Sequence, residues 1–170
     1  MIKFQIKPMR KILTTLTILV MVTACSTDGG VETMTGQTQS TFIFPTVTAE
    51  KNVAPVIGAL SGEAPTTLAK KDIFVGTGKE AIATSNLEVH YVLMKWNNGQ
   101  VVQSSWDSGQ TFSTPLSGVI TGWQQGVPGM KEGGRRLLVI PADLAYGEMG
   151  NGPIEPNETI VFVVDLIKVS

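Results

Sequence analysis

The chain has 170 residues, of which 42% are hydrophobic and 16% are charged, and its formal net charge is −1. This composition is typical of a folded domain with flanking segments and excludes a disordered or fibrous chain. Four of the basic residues lie in segment 1–24, and without them nine basic residues face 14 acidic ones, a net charge of −5. A mildly acidic domain without a basic cluster is a poor candidate for binding nucleic acid.

Residues 1–24 have the layout of a secretory signal peptide, with a basic start followed by an uncharged run over 12–24. This run is shorter than the roughly 20 residues that a bilayer span needs. The sequence from Val22 to Cys25 resembles the bacterial lipobox, in which the cysteine receives a lipid and becomes the mature N-terminus. We therefore predict a membrane-anchored lipoprotein of the bacterial cell envelope, facing the extracytoplasmic side, with its lipid on Cys25. An uncleaved anchor helix, or an ordinary signal with an incidental cysteine, is the alternative.

Cys25 is the only cysteine of the chain, and His90 is the only histidine. One cysteine cannot close a disulfide within its own chain, and a structural zinc site needs several cysteine or histidine ligands. We therefore predict no disulfide framework, no metal site and no cofactor. His90 has no partners at ligand spacing, and we expect it to be a structural residue of a strand.

Residues 25–61 are predicted to form a flexible linker, and residues 62–170 the folded domain. The stretch 26–41 is rich in Ser, Thr, Gly and Gln, a composition typical of a tether. The stretch 42–69 contains two short apolar runs that either form strands or pack on the domain, and its prolines argue against a helix. We expect 42–69 to be loosely ordered.

Strand patterns dominate the remainder of the chain. Runs rich in β-branched and aromatic residues predict four strands, at 72–75, 87–95, 135–140 and 159–169. The turn Asn97-Asn98-Gly99 after the second run predicts a tight hairpin, because Asn and Gly tolerate a positive φ. In the last run the consecutive residues 161–164 are all apolar, which predicts a central strand covered on both faces.

One short segment has helical periodicity. Ile120, Trp123 and Val127 are spaced as i, i+3 and i+7, which places them on one helical face, and Pro128-Gly129 then ends the helix. One short helix among antiparallel strands predicts an α+β domain in which a curved antiparallel sheet wraps over the helix.

Six sequence motifs follow one another in the order found in a known family. They are Val89-His90-Tyr91, Ser104-Ser105, Val119 to Val127, Gly133 to Arg136, Ile140 to Gly147, and Pro156 to Phe162. Together they resemble the FK506-binding-protein (FKBP) family of peptidyl-prolyl cis-trans isomerases over roughly residues 70–170. The resemblance implies the FKBP-like fold, with isomerase activity on proline-containing polypeptides and a macrolide as a further ligand.

The resemblance also implies roles for individual residues. Trp123 would be the floor of an apolar pocket under the proline ring. The Tyr146 hydroxyl and the backbone N–H of Ile120 would each hold a substrate carbonyl. The walls would be apolar side chains at seven positions: Tyr91, Val102, Phe112, Val119, Ile120, Ile154 and Phe162.

The chain departs from the family pattern at the pocket. Where the family has Phe-Asp before Ser-Ser, this chain has Val102-Gln103, so that the position of the usual catalytic-site carboxylate holds a neutral amide. The loop 148–153 is one residue shorter than the family pattern. We therefore expect measurable but reduced isomerase activity, with Tyr146 and Gln103 as the polar residues beside the reacting bond.

Two other functions remain open at this stage. The exchange at 102–103 also suits a non-catalytic chaperone on the same fold, and a lipoprotein could use the pocket rim to bind a partner.

Trp96 and Trp106 flank the hairpin and either grip a substrate protein or cover the sheet edge. Arg135 and Arg136 point to opposite faces of their strand, so that we expect at most one of them to reach an acidic partner such as Asp143 or Asp165.

Overall fold

The computed structural model describes residues 42–170. The predicted signal peptide, Cys25 and the tether up to residue 41 lie outside the described residues. Within the described part of the chain, no helix has the length and hydrophobicity to cross a membrane.

The described residues form six strands and one α-helix. In chain order the elements are β1 (Ala69–Phe74), β2 (Asn86–Lys95), β3 (Val101–Ser104), β4 (Phe112–Pro115), α1 (Thr121–Gly126), β5 (Arg135–Ile140) and β6 (Ile160–Val169). Single-turn 3-10 helices cover Leu116–Gly118, Ala142–Leu144 and Gly147–Met149. All four predicted strands and the predicted helix are present, within a few residues of the expected bounds.

The strands pair antiparallel in one sheet of order β1-β5-β6-β2-β3. β4 also pairs with β2, so that β3 and β4 occupy successive parts of the same β2 edge. The predicted hairpin joins β2 to β3, and Gly99 adopts a φ of 68°, which favours glycine. The α+β class with a curved antiparallel sheet and one short helix is confirmed.

The sheet is buried on both faces, as the apolar run at 161–164 predicts. Phe162 and Val164 belong to a core on the face that α1 covers, which we call the helix face. Val161 and Val163 belong to a second core on the opposite face, which we call the outer face. Alternate residues of β5 divide in the same way, because successive side chains of a strand point to opposite faces.

The segment 42–60 covers the outer face. Val47 and Ile57 form an antiparallel bridge, and Gly58 N–H donates to the Thr46 carbonyl at 2.8 Å. Five apolar residues of this segment pack on the outer-face core: Phe42, Phe44, Val47, Ile57 and Leu60. Trp96 packs there too, with its ring 5.7 Å from that of Phe42. The apolar runs of this segment therefore pack on the domain, one of the two alternatives left open, and the expectation of a loosely ordered segment is wrong here because the sheet has a second apolar face to bury.

Arg135 ties this cover to the sheet. Its side chain is fully buried at 0% exposure, and its Nε donates to Asp165 Oδ1 at 2.8 Å. The two terminal nitrogens donate to the carbonyls of Thr48 and Val53 at 2.8 and 2.7 Å. Burial raises the pKa of Asp165 above its ordinary value, and the hydrogen bond from Arg135 opposes that rise.

Arg136 is also buried and paired, so the expectation that at most one of the two arginines reaches a partner is wrong. Its Nε and Nη2 bind both carboxylate oxygens of Asp72 at 2.7 and 3.0 Å. Its Nη1 donates to the carbonyls of Gly126 and Pro128 at the end of α1. The two side chains do point to opposite faces, but each face supplies an acid, Asp165 from β6 and Asp72 from β1.

We predict that a chain of residues 62–170 is much less stable than one of residues 42–170. The deletion exposes the outer-face core and removes two acceptors of Arg135, so that the loss is on the order of 4 kcal/mol or more. Urea unfolding of the two chains measures the difference. Equal midpoints would show that the cover contributes nothing.

A second prediction concerns Glu132, whose carboxylate accepts the N–H of Val169 at 2.7 Å and that of Lys79 at 3.2 Å. These bonds, first that of Val169, lower the pKa of Glu132. The stability they provide is therefore present above the unfolded-state pKa and is lost as the pH falls through the lower folded-state pKa. Glu132→Gln should be less stable than the native chain at neutral pH. Thermal unfolding at neutral and acidic pH should show this difference shrinking in acid, and a constant difference would contradict the assignment.

Candidate active site

A cavity of about 390 Å³ opens on the helix face between α1 and the sheet. Ten residues line it: Tyr91, Leu93, Gln103, Phe112, Gly118, Val119, Ile120, Trp123, Tyr146 and Phe162. Eight of them are among the site residues predicted from the sequence, the exceptions being Leu93 and Gly118. The structure thus brings together residues from four strands and α1, from the stretch 118–120 just before α1, and from the loop around Tyr146.

Trp123 lines the cavity from α1, which sits close to the sheet. Gly122 and Gly126 face Ile140 and Leu138 of β5, where a β-carbon would collide with those side chains. The indole is only 3% exposed, and its Nε1 has no hydrogen-bond partner among the described residues. Trp123 is therefore held in the core while one part of its ring borders the opening.

Aromatic rings surround the indole and fix its orientation. The ring of Phe162 lies 5.1 Å from that of Trp123, edge to face, and the ring of Tyr91 lies 6.1 Å from it in the same geometry. Tyr91 also contacts Phe112 and Phe162, each at a centroid distance of 5.8 Å. Such edge-to-face contacts are favourable beyond the apolar area they bury. The result is a preformed hollow with aromatic walls.

Two polar groups border the hollow. Tyr146 follows the 3-10 helix Ala142–Leu144 and precedes Gly147, whose φ of 58° turns the chain sharply. Ile120 is the N-cap residue of α1, and its carbonyl accepts the N–H of Trp123 at 3.0 Å. Its own N–H has no backbone acceptor among residues 42–170.

The lining is uncharged. It contains no carboxylate, amine, guanidinium or imidazole group within the part of the chain that the structure describes. Gln103 is exposed on β3, opposite Leu93 of β2. Burial, and next the neighbouring Tyr146, raise the pKa of Tyr91 above its ordinary value. The site is thus suited to binding an apolar ring with a few polar contacts at its border.

Val102 and Ile154 lie elsewhere than the other predicted wall residues. Val102 is half-buried and packs against the helix-face core, and Ile154 is a buried member of that core. Neither is among the residues that line the cavity. Leu93, which sequence reasoning missed, follows Tyr91 by two positions on β2, so strand alternation alone places it on the same face. Gly118 has no side chain, and no pattern in the sequence identified it as a lining residue.

Residues 78–167 match the family model described as FKBP-type peptidyl-prolyl cis-trans isomerase. The chain belongs to this family. A probable FK506-binding protein of Corynebacterium glutamicum is 50% identical over 113 residues, which is 66% of this chain and 96% of that protein. An FK506-binding protein of Streptomyces anulatus is 46% identical over 119 residues, which is 68% of this chain and 96% of that one. The prediction of an FKBP-type isomerase is thereby confirmed.

Solved FKBP-type structures also resemble the chain. FkpA from Escherichia coli superposes with a TM-score of 0.59 and 35% identity, over 64% of this chain and 51% of that protein. A peptidyl-prolyl cis-trans isomerase from Pseudomonas syringae superposes with a TM-score of 0.56 and 35% identity, over 61% of this chain and 75% of that one.

The N-terminus of this FKBP-type chain matches a second family model. Residues 9–26 fit the description of a prokaryotic membrane lipoprotein lipid attachment site. Cys25, the only cysteine of the chain, lies inside that range. The prediction of a lipoprotein is confirmed.

The uncharged lining predicts a flat pH profile for prolyl isomerisation. Because no carboxylate, amine or imidazole lines the cavity, we expect no lining group to change its charge between about pH 6 and 8.5, and kcat/KM to change by less than about twofold over that range. A protease-free isomerisation assay in buffers of constant ionic strength measures this. A tenfold bell-shaped dependence would mean that an ionisable group outside the lining takes part.

Proposed function

We propose that the chain accelerates rotation about X–Pro bonds of exported polypeptides by binding the twisted amide in the cavity over Trp123. The observation that supports this most is an uncharged aromatic hollow with hydrogen-bonding groups at its border. Lipid attachment at Cys25 would hold the domain on the extracytoplasmic side of a bacterial membrane, where unfolded exported chains pass. Isomerisation there would need no cofactor.

The physical case rests on the nature of the barrier. Rotation of the peptide bond costs about 18–20 kcal/mol because twisting breaks amide resonance. No proton transfer or covalent step is needed, so a catalyst has only to bind the twisted form more tightly than either planar form. A twisted carbonyl is less dipolar than a planar one, and a poorly hydrated apolar cavity therefore favours it.

The polar groups at the border would orient the substrate without reacting. The Tyr146 hydroxyl would donate to one substrate carbonyl and the Ile120 N–H to another, so that the proline ring rests against Trp123 with its X–Pro bond in the hollow. Positioning of this kind lowers a barrier by removing the entropy that alignment costs. Tyr91, Phe112, Val119 and Phe162 would exclude water from the ring.

Gln103 would set the level of activity. In the family pattern a carboxylate at this position lies near the tyrosine hydroxyl, and an amide keeps polarity there but loses the charge. Val102, in place of Phe, is smaller, and its side chain packs into the helix-face core. Both exchanges would weaken catalysis and macrolide binding without removing the hollow. A holdase that binds proline segments without turnover is the competing function.

The first test is a prolyl isomerisation assay on residues 42–170 with two tryptophan variants. Trp123→Leu keeps an apolar side chain but removes the flat ring, and kcat/KM should fall at least about tenfold, or roughly 1.4 kcal/mol of transition-state stabilisation. Trp96→Leu alters a tryptophan of the outer face and should retain native kcat/KM. No turnover by the native chain at micromolar concentration would favour the holdase.

The second test is Gln103→Asp in the same assay. Restoring the carboxylate should raise kcat/KM about three- to tenfold, whereas Gln103→Glu, with the longer side chain, should give less. Equal rates for native chain and Gln103→Asp would show that the acid is dispensable in this pocket.

A further inference from the structure

The edge of β2 is interrupted between its two short partner strands. β3 ends at Ser104, which lies opposite Val92, and β4 begins at Phe112, which lies opposite Val89. Only His90 and Tyr91 lie between these two positions on β2. The chain spans this short gap with the whole segment 105–111, which we call the edge loop, so that most of its residues leave the ladder.

Ser105 replaces the missing ladder contacts at Tyr91. Its backbone N–H donates to the Tyr91 carbonyl at 3.1 Å, as in a regular sheet. Its Oγ accepts the N–H of Tyr91 at 2.9 Å, where a strand would offer a carbonyl, and also lies 3.4 Å from the Tyr91 carbonyl. The serine is 9% exposed, so a Tyr91 N–H without this acceptor would be cut off from most water.

The other residue of the gap holds the start of the edge loop. His90 Nδ1 lies 2.9 Å from Ser105 Oγ, and the imidazole stacks on the Trp106 ring at a centroid distance of 4.1 Å. Ser108 Oγ donates to the Ser105 carbonyl at 3.1 Å, which closes the loop on itself. The hydroxyl group of Ser105 therefore joins the start of the edge loop to both residues of the gap in β2, His90 and Tyr91.

The two parts that Ser105 joins, β2 and the edge loop, each adjoin the cavity wall, through Tyr91 and Phe112. Tyr91 contacts the rings of Phe112, Trp123 and Phe162 and is the central ring of the aromatic wall. Phe112 is the first residue after the edge loop and is 41% exposed, and its ring contacts that of Tyr91. Its place in the wall is set on one side by the pairing of β4 with β2, where it lies opposite Val89, and on the other by the edge loop that precedes it.

We propose that Ser105 is a positioning residue for isomerisation: its hydroxyl group fixes Tyr91 and the edge loop, and through them the Phe112 wall of the cavity. The proposal rests on the proposed function of the cavity. Ser105 itself is not among the residues that line the cavity and acts only through its neighbours.

The test compares three variants of the chain 42–170 by steady-state kinetics. Ser105→Ala removes the hydroxyl group, and KM should rise about tenfold while kcat stays within about twofold, because a smaller fraction of molecules has an assembled wall. Ser105→Thr keeps a hydroxyl group and should recover most of that loss. Ser85→Ala is the matched control, since Ser85 is 5% exposed, accepts the Ile82 N–H at 3.0 Å and lies outside the lining. It should lose stability but keep native KM.

Three kinetic outcomes would overturn the proposal. They are a native KM in Ser105→Ala, an equal rise of KM in Ser85→Ala, and a Ser105→Thr variant no better than Ser105→Ala. If Trp123→Leu were fully active, the proposed function would fail instead, and these kinetics would no longer report on Ser105.

Hydrogen exchange tests the proposal independently of activity, and the amides of β6 report whether a variant has lost overall stability. In the native chain the Tyr91 amide should exchange at least about a hundredfold more slowly than the exposed amides of the edge loop. In Ser105→Ala its exchange should quicken at least about tenfold, with the amides of β6 unchanged. A Tyr91 amide that exchanges as fast as the edge-loop amides in the native chain would overturn the proposal.

Discussion

The central strand β6 has two apolar faces, and the rest of the described fold follows from the need to bury both. Phe162 and Val164 point to the helix face, and Val161 and Val163 point to the outer face. A strand of this kind is stable only where each side of the sheet has a cover. The helix with its neighbouring loops covers one side, and the segment 42–60 covers the other.

The two covers are built differently. The outer face is covered by apolar side chains of a segment that Arg135 holds by two of its carbonyls, and a pocket remains where residues 57–60 meet the end of β2. The helix face is covered by the six residues of α1, held close to β5 through Gly122 and Gly126, and by the neighbouring loops. Such a short helix leaves part of the sheet uncovered, and aromatic rings line the remainder. The cavity lies beside this short helix, and Trp123 is both a core residue and part of the cavity lining.

Periodicity and turn chemistry predicted most of this fold. The apolar run of β6 and the i, i+3, i+7 spacing around Trp123 depend on neighbours along the chain, which the sequence displays. The sequence left open how residues 42–60 pack, because their apolar side chains find their partners on the distant sheet, and a segment without regular pairing has no periodicity. The pairing of Arg136 was missed for the same reason, since Asp72 becomes its neighbour only when β1 docks beside β5. Eight of the ten lining residues followed from the family resemblance, and the proposed role of Ser105 needed the geometry.

The measurement that tests the account most directly is a titration of residues 42–170 with a short proline-containing peptide, followed by the indole N–H resonances of the three tryptophans. The account predicts that the Trp123 resonance shifts saturably with the peptide, while the Trp96 resonance on the outer face stays in place. The same peptide with alanine for proline should leave both unchanged. A saturable shift of Trp96 with an unmoved Trp123 would place binding on the wrong face of the sheet and contradict the account.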